Sequence, residues 1–76
     1  MDKINKKEIN RERFKKLATL RTNIVLKRLK VLGNCSNRSA YEYTEEDINK
    51  IFSEIERRVK EIKAKFHFPK NKEFKL

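Results

Sequence analysis

Residues 44–66 read TEEDINKIFSEIERRVKEIKAKF, and their spacing decides the fold. Ile48, Phe52, Ile55, Val59, Ile62 and Phe66 recur at intervals of four and three, the period of a single helix face. Ile51 flanks this seam, and the remaining faces are charged or polar. Thr44 is placed to cap the helix, because its hydroxyl can accept from a backbone amide in the first turn. Asp47 stands three residues on, where Glu or Gln is usual, so the capping box is an imperfect match. Tyr43 and Ile48 have the spacing of a hydrophobic staple across the cap. Glu45, Glu46 and Asp47 complement the positive end of the helix dipole. Pro69 is the expected stop, giving a second helix over about 44–67.

Working upstream, Gly33 reads as a left-handed residue closing a first helix over about 8–32. The loop, 33–43, runs from Gly33 to Tyr43. Its Asn and Ser residues suit local side-chain to backbone bonds that order a connector. In the first helix Phe14, Leu17, Ala18, Leu20, Ile24, Val25, Leu29, Val31 and Leu32 spread over about half the circumference. The second helix has a stripe about half as wide. One narrow stripe cannot cover a wide one, so the first helix needs a further partner. The expected fold class is all-α: a two-helix antiparallel hairpin of matched helices, completed by oligomerisation into a helical bundle. The competing cover is a terminal segment bearing Ile4, Ile9, Phe68 and Phe74.

The chain has 76 residues and one cysteine, so a single domain over 1–76 is expected, without a disulfide within the chain. A chain this short buries little core alone, which again favours a homo-oligomer, a dimer or higher. Cys35 and His67 cannot make a four-ligand metal site, so no metal and no cofactor are expected. Cys35 reads as a small packed residue rather than a nucleophile. No stretch is apolar for long enough to span a membrane. The opening Met1-Asp2-Lys3-Ile4-Asn5-Lys6 lacks the apolar core of a signal peptide, so a cytoplasmic location is expected. No phosphate loop or paired nucleophile and base is present, so an enzyme is not expected.

Charge is the loudest feature, with a formal net charge of +10. Residues 1–32 hold eleven Lys/Arg and three Asp/Glu, whereas residues 44–68 hold six of each. In an antiparallel hairpin, Lys6, Lys7, Arg11, Arg13, Lys15 and Lys16 share one end with Lys60, Lys63 and Lys65. The tail, 69–76, adds Lys70 and Lys72. This basic pole is the expected contact for nucleic-acid phosphates, and the leading expectation is a non-enzymatic basic binding protein. Arg21 and Arg28 stand in the middle of the apolar arc of the first helix. They either pair with a carboxylate across an interface or converge on an anionic ligand. With Asn37, Arg38 and Tyr41 of the loop, they define the alternative site. The alternative function is a phage or mobile-element accessory protein that binds a host protein, or sequesters a nucleotide between subunits.

Overall fold

A computed structural model of the chain describes residues 5–68 and residue 76. The protein is all-α: two helices and a short 3-10 turn, with no strand among the described residues. The chain divides into two units, Met1–Tyr41 and Glu42–Leu76.

The first unit contains α1, Lys6–Gly33, of 28 residues, about 42 Å long. It starts two residues before the expected Glu8 because Asn5 is an N-cap. Asn5 has extended backbone, and its Oδ1 accepts from the Lys7 N–H at 2.9 Å. Its carbonyl accepts from Glu8 and Ile9, which begins the helical ladder. The other end departs from the expectation for Gly33. Gly33 has φ −58° and ψ −25°, ordinary right-handed geometry, and no described residue has positive φ. The chain instead tightens into a 3-10 turn over Asn34–Ser36. Asn37 makes the break. It turns extended, its Oδ1 accepts from the Ser39 N–H at 3.0 Å, and its carbonyl accepts from Ala40 and Tyr41.

The second unit contains α2, Glu45–Lys63, of 19 residues, so the helices are not matched in length. The capping box, an imperfect match in sequence, is closed on both sides. The Asp47 N–H donates to Thr44 Oγ1 at 3.1 Å, and the Thr44 N–H donates to Asp47 Oδ2 at 3.0 Å. The shorter carboxylate therefore reaches as well as Glu would. Tyr43 and Ile48 are both half-buried. The helix ends at Lys63, short of the expected 67. Lys65 and Phe66 donate to Ile62 and Lys63, tightening the exit to the three-residue spacing common at helix ends. Phe66 thus leaves the helical seam. Pro69 lies outside the described residues, as do Lys70, Lys72, Phe74 and Ile4. Ile9 belongs to α1, and Phe68 is 92% exposed, so neither covers an apolar face.

No described residue is buried. Ala18, Leu32, Tyr43, Ile48 and Ile55 are half-buried, and the other described apolar side chains are open. Among the described residues, no helix is long and apolar enough to cross a membrane.

Candidate functional site

The cations expected at the basic pole fall into two groups, one in each unit. Lys6, Lys7, Arg11, Arg13, Lys15 and Lys16 all lie in the first three turns of α1. They occupy about 15 Å of helix axis. Glu8 is the acid of the first turn, and it stands against Lys6 and Lys7 at the end where the helix dipole is already positive. This arrangement works against helix stability: the positive end of the helix dipole and the lysine ammonium groups add to one field. None of the α1 cations makes an ion pair with a described residue. Arg11 places its guanidinium 5.9 Å from the Phe14 ring centroid, one helical turn away. That contact was legible as a three-residue spacing. It leaves the charge uncancelled.

The charge of α2 is arranged in the opposite way. Glu45, Glu46 and Asp47 occupy its first turn, and Lys60 and Lys63 its last. Bonds from the Thr44 backbone and hydroxyl hold the Asp47 carboxyl below the usual aspartate range. In the middle, Arg57 bonds Glu54 at 2.5 Å and Glu61 at 2.6 Å, and Arg58 bonds Glu54 at 3.1 Å. The bond from Arg57, then that from Arg58, keeps the Glu54 carboxyl below its ordinary value. Glu54 in turn raises Arg57. All four side chains are half to two-thirds exposed, so the cluster orders the helix surface more than it stabilises it. Sequence reading missed this cluster, although its three- and four-residue spacings were the signal. Lys65 lies just beyond α2, in the exit turn.

The residues of the alternative site are all in the first unit. Arg21 and Arg28 are in α1, seven residues apart. Asn37, Arg38 and Tyr41 belong to the connector. The Asn37 side-chain oxygen is engaged by the Ser39 amide, so it serves loop geometry. Tyr41 is 55% exposed. Cys35 is exposed in the 3-10 turn rather than packed.

Chemically, the first unit offers fixed positive charge and hydrogen-bond donors, and the described residues include no group of three or more metal-ligating side chains. Compared with known proteins, the chain matches no family model, no curated protein and no solved structure.

Proposed function

We propose that the chain is a non-enzymatic binding protein of the cytoplasm that contacts nucleic-acid phosphates through the start of α1. One observation carries this reading. Six cations in the first three turns of α1 have no carboxylate partner among the described residues, and two of them load the positive end of the helix dipole. An anion at that end relieves both tensions. A duplex presents about one charge per 1.7 Å of axis, so a stretch of about 15 Å can meet several phosphates at once. Lys60, Lys63 and Lys65 are proposed as secondary contacts. Self-association is proposed to run through the apolar stripe of α2, and sedimentation of Ile55→Asp tests it. A variant that associates as the wild type does removes that assignment.

The test of phosphate binding is fluorescence anisotropy with a labelled duplex and a labelled single strand over a salt series. Six contacts give a log–log salt slope of about −5 on duplex, and Lys15→Glu with Lys16→Glu flattens it by about two. Absence of binding at low salt, or a double variant that binds as the wild type does, overturns the proposal.

A further inference from the structure

Residues three and four apart are neighbours on a helix surface. For Arg21 these neighbours are Leu17, Ala18, Ile24 and Val25; for Arg28 they are Ile24, Val25, Val31 and Leu32. Every one is apolar. Each guanidinium is therefore ringed by apolar side chains, and its own helix supplies no carboxylate within reach. Arg28 joins Ile24, Lys27 and Val31 around a shallow open groove. Ile24 is 51% exposed and Val25 55%, so the stretch between the two arginines is uncovered.

We infer that this face of α1 docks an amphipathic helix of another protein, one carrying Asp or Glu residues seven apart within its apolar stripe. Whatever covers the face must be apolar and anionic together. A phosphate backbone supplies the charge but leaves the apolar ring in water. An anionic lipid surface has both properties, but the two arginines occupy the middle of the arc, where insertion is deepest and a charge costs most. A second copy of α1 sets Arg21 and Arg28 against the same pair, which is repulsive. A second copy of α2 brings a stripe, Ile48, Phe52, Ile55, Val59 and Ile62, that contains no carboxylate. Its acids spaced by seven, Asp47, Glu54 and Glu61, are already held by Thr44, Arg57 and Arg58. An acidic amphipathic helix meets every requirement. Seven residues rise about 10.5 Å, so carboxylates at that interval meet both guanidinium forks while apolar residues fill the ring between them.

The test uses the full chain and a labelled peptide of about three heptads. The peptide has Leu and Ile in its stripe and two Glu residues seven apart within it. Two further peptides carry Gln or Lys at those positions. Anisotropy is read at about 0.15 M salt, where loose charge attraction is screened. The Glu peptide is expected to bind about tenfold or more tightly than the Gln peptide, since a charged pair outweighs a neutral one. Arg21→Gln with Arg28→Gln should erase that preference and leave duplex binding within about twofold, because Gln keeps helix propensity. Arg21→Glu with Arg28→Glu should transfer the preference to the Lys peptide, which a merely misfolded variant cannot do. Equal binding of Glu and Gln peptides overturns the inference. So does a Gln double variant that loses duplex, anionic-vesicle or self-association signal in parallel with peptide binding, because the face then belongs to one of those occupants.

Discussion

In α2, Arg57 has Glu54 three residues before it and Glu61 four residues after it; in α1, Arg28 has Val25 and Leu32 at the same offsets. The two arginines have the same chemistry on the same kind of helix, and only their neighbours differ. The contrast extends along the whole of each element. α2 begins with acids, ends with bases, closes its cap reciprocally and gathers its apolar residues on one side. α1 begins with lysines and has almost no net apolar direction, since Arg21 and Arg28 cancel the arc around them. α2 pairs both of its arginines internally and leaves a plain apolar stripe. α1 leaves charge and apolar surface interleaved along one face.

The largest expected effect comes from giving α1 what α2 already has. Val25→Glu places a carboxylate four residues after Arg21 and three before Arg28. Acidic-peptide binding should fall about tenfold as the guanidinium groups pair locally. Circular dichroism should show α1 at least as helical as before. Unchanged peptide affinity would mean that the apolar ring is not what makes these arginines available. The next effect erases an advantage of α2. Thr44→Ala removes the hydroxyl that accepts from the Asp47 N–H and should cost about 1 kcal/mol of helix stability, measured by thermal unfolding or amide exchange over 45–48. Gly33→Ala runs the other way. The backbone there is right-handed, and an added Cβ meets nothing within 4 Å, so α1 should gain up to about 1 kcal/mol. A loss of helicity would place Gly33 in the left-handed form. The smallest effect is acid titration. Asp47 and Glu54 both sit below their ordinary values, so their contribution is complete above the usual carboxylate range and fades as pH falls through it. Exchange should quicken at the α2 cap and around Glu54. Protection that holds at low pH would show that neither bond steadies the helix.

The two helices also differ in how much of them the sequence disclosed. The α2 seam from Ile48 to Ile62 and its Thr44 cap follow from period and position alone, and the structure has both. Its exit was misplaced, because Pro69 forbids helix at its own position but does not say where the preceding turn lets go. At the other boundary Gly33 was given the role that Asn37 performs. Glycine permits a left-handed stop without requiring one, whereas the Asn37 side chain bonds the amide two residues on and forces the chain out. Asn5 went unnoticed because no strongly apolar pattern follows it. Arg21 and Arg28 were legible as misfits in an apolar arc. What the spacing alone does not convey is the contrast with α2, whose two arginines are both paired.

The seven-residue interval between Arg21 and Arg28 has a consequence for polarity. Two like charges separated by a whole number of near-turns form a ruler without an arrow: reversed end for end, it presents the same two marks at the same distance. A partner helix could therefore run with α1 or against it and still match both marks. Direction must be written elsewhere, and the uneven charge along α1, crowded at Lys6–Lys16 and sparser beyond, is the feature that breaks the tie. A partner whose acids continue past the pair toward one terminus would lay that terminus over the start of α1.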